Sequence, residues 1–138
     1  MKSKYCVIIF IGCISVLSCT KTMLNPLKGS INKTDNNIGS NRDIGYTLYL
    51  KPRKTLEVRA IENCIISNIL STNDSSYMVI TRGRVNAAYG NLAKSYVIKG
   101  DSIRRGQILG VLFSNNAIRD NSLELALEKN GRSILPNW

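Results

Sequence analysis

The sequence predicts an all-β domain, a small β-sandwich or barrel-sandwich hybrid over residues 42–138. Three observations carry this. Tyr96 to Phe113 reads YVIKGDSIRRGQILGVLF, short apolar runs punctuated by Gly100, Gly106 and Gly110. Leu56 to Ile61 alternates, with Leu56, Val58 and Ala60 on one face, and Leu123, Leu125 and Leu127 recur at every second position. Several short β-rich runs are separated by turn residues, with no internal repeat and no long helical period, the pattern of a sandwich or partly open barrel.

Each element follows in order. Tyr46 to Leu50 (YTLYL) is β-rich and Pro52 ends it. In Leu56 to Ile61, Leu56, Val58 and Ala60 share one face, Glu57 and Arg59 the other. Asn63 opens the run Cys64 to Leu70, and Ser71 to Ser76 is a polar loop. Tyr77 to Thr81 is a strand, Arg82-Gly83 a turn and Val85 to Tyr89 a return strand, which is hairpin grammar. In the glycine-punctuated stretch, Gly100 and Gly106 suit turns that need positive φ, with Asp101 a favoured neighbour. Gly110 lies inside an apolar run, where glycine marks a bulge or the close approach of another backbone. Ser114 to Asn116 makes a loop, and Ala117 to Asn121 is the one stretch suited to a helical turn. Ser122 to Glu128 alternates, and Asn130-Gly131 is a strong turn signal.

Ahead of this domain, Met1 to Ser18 reads as a signal peptide. Lys2 and Lys4 give a charged start and Cys6 to Leu17 a short apolar run. That run is shorter than the roughly 20 residues a membrane-spanning helix needs. Val16-Leu17-Ser18-Cys19 resembles a bacterial lipobox, with Val16 where leucine is usual, and makes Cys19 the expected lipidation site; the alternative is an ordinary secretory signal with an incidental cysteine. Residues 20–41, rich in Asn, Ser, Thr and Lys, read as a flexible tether with too little apolar surface to offset its ordering entropy.

The chain carries a formal charge of +10. Loss of Lys2 and Lys4 with a leader takes the 19 basic residues to 17 against 9 acidic ones, a net +8. Such a balance favours acidic partners such as wall polymers or anionic lipid heads; an exported lipoprotein excludes nucleic acid as the expected partner. Arg53-Lys54, Arg82-x-Arg84 and Arg104-Arg105 sit at turn-like positions, as polyanion contacts or as solvated loop tips. Of the four cysteines, Cys19 and Cys64 remain after cleavage. Cys64 lies in an apolar run and is expected to be reduced, buried and inert, because the chain has no histidine to activate it.

Val97-x-Lys99-Gly100-Asp101-x-Ile103-x-x-Gly106-Gln107-x-Leu109-Gly110 resembles the core of the lysostaphin-type (LytM, M23) peptidase domain. Three further segments match in the same order. They are Val58 to Ile66, with Asn63 and Cys64 in place of Asp and Gly; Tyr77 to Gly83 with Tyr89-Gly90-Asn91-Leu92; and Ser122 to Trp138, where Lys129-Asn130-Gly131-Arg132 and Pro136 match best. The resemblance covers Tyr46 to Trp138. Biotinyl and lipoyl carrier domains share part of the core pattern, but the carrier lysine at a hairpin tip is missing.

Active members of that family hold one zinc ion through a His and an Asp four residues apart and the second His of a late His-x-His. Aligned on Pro52, Ile44 and Leu48 fall at the first two positions, and Ser122 and Glu124 at the late pair. Asn91 stands where some members have a hairpin histidine, and Arg82 falls near another histidine position. Catalytic zinc needs three good ligands around an open fourth position, and Glu124 alone supplies one oxygen. The resemblance therefore implies a non-enzymatic domain with no zinc. The matching surface presents Arg82, Tyr89, Asn91, Ser122 and Glu124, either as a groove that still binds glycan, peptide or protein, or as strand residues on a solvated face.

The expectation is a lipid-anchored, non-catalytic LytM-like module at the bacterial cell envelope, on the periplasmic side or the surface, binding peptidoglycan or a wall-hydrolase partner. The alternative is a surface or structural lipoprotein that uses the fold as a protein or polyanion scaffold. A hydrolase with unorthodox ligands is the third reading.

Overall fold

The computed structural model describes residues 23–27, 47–114 and 121–136. The leader, Cys19, most of the expected tether, Asp43, Ile44, Tyr46, the helical turn expected at 117–121 (apart from Asn121) and Trp138 lie outside them. The described residues are all-β, arranged as one antiparallel sheet.

The main layer runs in the order β1 (Thr47–Leu50), β8 (Leu123–Lys129), β5 (Asn86–Ser95), β4 (Tyr77–Gly83), β3 (Cys64–Ser71), β6 (Ser102–Ile103). A second, smaller layer is made by β2 (Glu57–Arg59) on β7 (Ile108–Leu112), and β9 (Arg132–Ser133) closes a hairpin on β8. The link between layers is β5. Its first half pairs with β4 and β8, and Leu92 to Ser95 pair with β7.

One core forms between the inward faces. The alternation of β8 puts Leu123, Leu125 and Leu127 inside and Glu124, Ala126 and Glu128 outside. Opposite them Leu48 and Leu50 of β1 turn inward, joined by Ile66, Val79, Ala87 and Tyr89 from the main layer. Val58, Leu109 and Leu112 close the core from the smaller layer. Each such aliphatic side chain contributes about 1.5–3 kcal/mol on burial.

β5 is longer than its sequence suggests. The return strand expected to end at Tyr89 continues to Ser95. Gly90 and Asn91 look like breakers, yet Asn91 takes φ 62° within the strand, a conformation that Asn tolerates better than most residues. The ladder shifts register nearby, between Leu92 and Lys94, and the strand passes from one layer to the other. The β4–β5 hairpin differs in a smaller way: β4 runs through Arg82 and Gly83, so the turn is Arg84-Val85.

Gly110 fulfils the close-approach expectation. A Cβ there would stand 2.3 Å from the Lys94 carbonyl oxygen, so the β5–β7 pairing requires a bare backbone. Asn130 and Gly131 both have positive φ, 54° and 73°, as the tight β8–β9 turn demands.

Five residues within the stretch read as a flexible tether are packed on the domain. Met23 and Leu27 are buried in the core cluster. The Leu24 N–H donates to the Ile61 carbonyl at 3.1 Å, and the Arg59 N–H donates to the Pro26 carbonyl at 2.9 Å. Composition alone hides this, because two apolar anchors are enough when the edge of β2 offers backbone partners.

Candidate functional site

The outer face of the main layer carries the residues that the resemblance singled out, and register places them in rows. One row is Tyr49, Glu124, Gly90, Met78 and Leu70, across β1, β8, β5, β4 and β3. The next is Thr47, Ala126, Ala88, Ile80 and Asn68. Gly90, Ala88 and Ala126 have little or no side chain, so the centre of the face is a trough. Glu124 and Met78 stand over its floor: a Cβ on Gly90 would lie 3.2 Å from Glu124 Oε2 and 3.4 Å from Met78 Cε. Beside this, Ile80, Asn86, Ala88, Ala126, Glu128 and Ser133 line a depression of about 290 Å³. The trough is acidic along β8 and apolar along β3–β4, where Leu70 is exposed. Its signal in the sequence was the run of small residues at same-face positions, which the alignment to a metal site passed over.

The five candidate groove residues divide. Glu124 is on the trough wall. Asn91 and Ser122 meet at its end, the Asn91 side-chain amide donating to the Ser122 carbonyl at 2.6 Å; Ser122 itself is buried. That bond ties β5 to the entry of β8.

Tyr89 is not a groove residue. It pairs with Leu125 on the inner face and is fully buried. Its hydroxyl accepts the Ile61 N–H at 3.2 Å, joining the two layers. Burial pushes the phenol well above its ordinary pKa. Arg82 lies four residues along β4 from Met78, about 13 Å away at strand rise, and faces solvent.

The alignment on Pro52 also fails at Leu48, which faces the core opposite Leu125. The β1 residue that faces Glu124 is Tyr49. A one-residue slip in a strand exchanges the two faces, and here it exchanges a ligand position for a core position.

Tested as a zinc site, this constellation does not fit. Glu124 offers one carboxylate, Tyr49 a phenol and Gly90 no side chain, and the chain has no histidine. Among the described residues no three His, Cys, Asp or Glu side chains gather as a metal-binding group.

Cys64 is a half-buried free thiol at the start of β3. Burial raises its pKa, outweighing a hydrogen bond with Thr81, which favours the protonated thiol over the nucleophilic thiolate.

The fold of the described residues recurs in solved structures. Lysostaphin matches with a TM-score of 0.56 at 21% identity, over 72% of this chain and 44% of that chain. The catalytic domain of the prophage-encoded M23 protein EnpA from Enterococcus faecalis matches with a TM-score of 0.55 at 18% identity, over 79% of this chain and 92% of that one. This is a LytM-type fold. A chain of the SpoIIQ–SpoIIIAH pore-forming complex shares it, with a TM-score of 0.51 at 22% identity, over 74% of this chain and 66% of that chain. No family model matches the sequence, and no curated protein matches it. At these identities the likeness speaks for the fold alone. The LytM fold is therefore present here with Tyr49, Gly90 and Glu124 on its outer face, and among the described residues no helix is long and apolar enough to cross a membrane.

Proposed function

We propose that this chain is a non-catalytic LytM-type module that acts by binding at the bacterial cell envelope, its trough receiving an extended peptide of the wall or of a wall-hydrolase partner. The observation that carries this is the pairing of a small-residue floor, half-exposed at Ala88 and Ala126 and covered by Glu124 and Met78 at Gly90, with donor positions that cannot assemble a zinc site. An extended backbone needs a floor without side chains, and Glu124 and Glu128 give its cationic groups partners along one wall. Cleavage of an amide needs a polarised carbonyl and an activated water, which zinc supplies in one ion. Glu124 as a lone general base contributes only about 10²–10⁴-fold. Lipidation at Cys19, after removal of Met1 to Ser18, completes the proposal by holding the domain at a membrane.

The test is incubation with cross-linked peptidoglycan, with and without added Zn²⁺. Retention on the polymer without new amino termini is expected. Zinc-dependent cleavage that disappears in Glu124→Ala would refute the non-enzymatic reading.

A further inference from the structure

Three basic pairs are scattered through the sequence, and the fold gathers the two made of arginine. The rows on the outer face continue past the trough: Ile65 of β3 pairs with Arg82 of β4 on one side and with Ser102 of β6 on the other. The next row pairs Cys64 with Gly83 and Ile103, so Arg84 and Arg104 follow at the two flanks. The Arg105 N–H donates to Asn63 Oδ1 at 2.8 Å, which fixes the β6–β7 turn against the start of β3. Arg82, Arg84, Arg104 and Arg105 thus share one end of the sheet, though 20 residues separate the two pairs in sequence.

At the centre of this cluster is an apolar residue that the described residues leave largely exposed. Ile65 is 53% exposed. On the adjoining turn, held to β3 by the Gly100 N–H on the Ile66 carbonyl at 2.8 Å, Ile98 is 69% exposed. The acidic groups on this end are Glu62 and Asp101. Glu62 is nearly buried and paired with Arg84, and an Asp101 carboxylate oxygen accepts the Ile98 N–H at 2.9 Å. The surface therefore keeps a net positive charge around an exposed aliphatic centre.

We infer that this end of the sheet is a docking surface for an anionic phospholipid membrane, distinct from the trough. Guanidinium groups match phosphate in bidentate geometry. Exposed isoleucine among them suits the headgroup boundary, where apolar side chains insert and basic ones stay at the phosphates. A soluble polyanion would use the charges and leave Ile65 and Ile98 in water. The inference goes beyond the trough reading and does not depend on it.

The experiment is co-sedimentation of the full chain with vesicles of phosphatidylcholine alone or of equimolar phosphatidylcholine and phosphatidylglycerol. The readout is the preference for the anionic vesicles, so any contribution of the N-terminal residues to both types cancels. A basic residue at an anionic membrane surface contributes about fivefold to partitioning. The double variant Arg82→Gln, Arg104→Gln should lose the preference by roughly 25-fold on that scale, and Arg82→Lys, Arg104→Lys should keep most of it. Both side chains face solvent, and matched melting curves check that the fold is kept. The variant Arg53→Gln, Lys54→Gln removes the same charge from the β1–β2 loop and should change little. Equal loss in the two glutamine variants would mean diffuse attraction and would sink the inference. So would the absence of any preference for anionic vesicles, or binding of inorganic polyphosphate without retention on vesicles.

Discussion

Tyr89 brings a hydroxyl into the interior, where it accepts the N–H of the buried Ile61. Tyr89→Phe keeps the ring but removes the acceptor at 3.2 Å, leaving a buried donor unmet at a cost of about 1–3 kcal/mol. Urea denaturation should show that loss. The same residue sets an alkaline limit. Because burial raises the folded pKa above the unfolded one, the contribution is complete below the unfolded value near 10 and is lost as pH climbs above it. Wild-type stability should fall in that range more steeply than that of Tyr89→Phe; parallel curves would show that the phenol does not drive the effect. Gly110→Ala tests packing instead. A methyl 2.3 Å from the Lys94 oxygen cannot be accommodated without parting β5 from β7, and overpacking of this kind costs about 1–3 kcal/mol or more. An unchanged melting temperature would contradict that contact.

Among the elements, the strands that alternate sharply were legible from sequence because their two faces differ in hydrophobicity. Leu123, Leu125 and Leu127 against Glu124, Ala126 and Glu128 leave one choice of face. β5 was not legible in phase. Ala87 and Tyr89 alternate with Ala88 and Gly90, and neither set is polar, so only pairing with β8 decides which face is inward. That is why Tyr89 was placed in the groove while the floor made by its neighbours went unseen. β1 failed for a related reason: both faces carry large residues, and alignment on Pro52 chose the wrong one. The packed segment Met23–Leu27 has three large apolar residues, Met23, Leu24 and Leu27, but no alternation, and lies in a stretch otherwise rich in Asn, Ser, Thr and Lys. It yields a prediction at this scale. Leu27→Ala removes a side chain buried to 3% exposure and should cost about 2 kcal/mol or more, measured by denaturation of otherwise identical chains. A loose tether would show no difference.

For the molecule as a whole, the fold separates three surfaces that the sequence interleaves. The core takes the alternating leucines and Tyr89, the trough takes the small residues of β5 and β8, and the sheet end takes the arginines of β4 and the β6–β7 turn. Stability arises from the first, so dialysis against chelator should leave the melting temperature unchanged, and bound zinc at one equivalent with a chelator-sensitive melt would contradict the assignment. Function is assigned to the trough, and its floor gives a direct way to close it. Ala126→Trp puts an indole across the row that contains Ala88 and Ile80, on a face where the side chain points away from the core. The deciding measurement is a binding isotherm on purified peptidoglycan for wild type and Ala126→Trp at physiological salt. Saturable binding, weakened at least about tenfold by the indole as expected for loss of about 1.4 kcal/mol or more, is the predicted result. Non-saturable uptake, or an isotherm that Ala126→Trp leaves unmoved, would contradict a wall-binding trough.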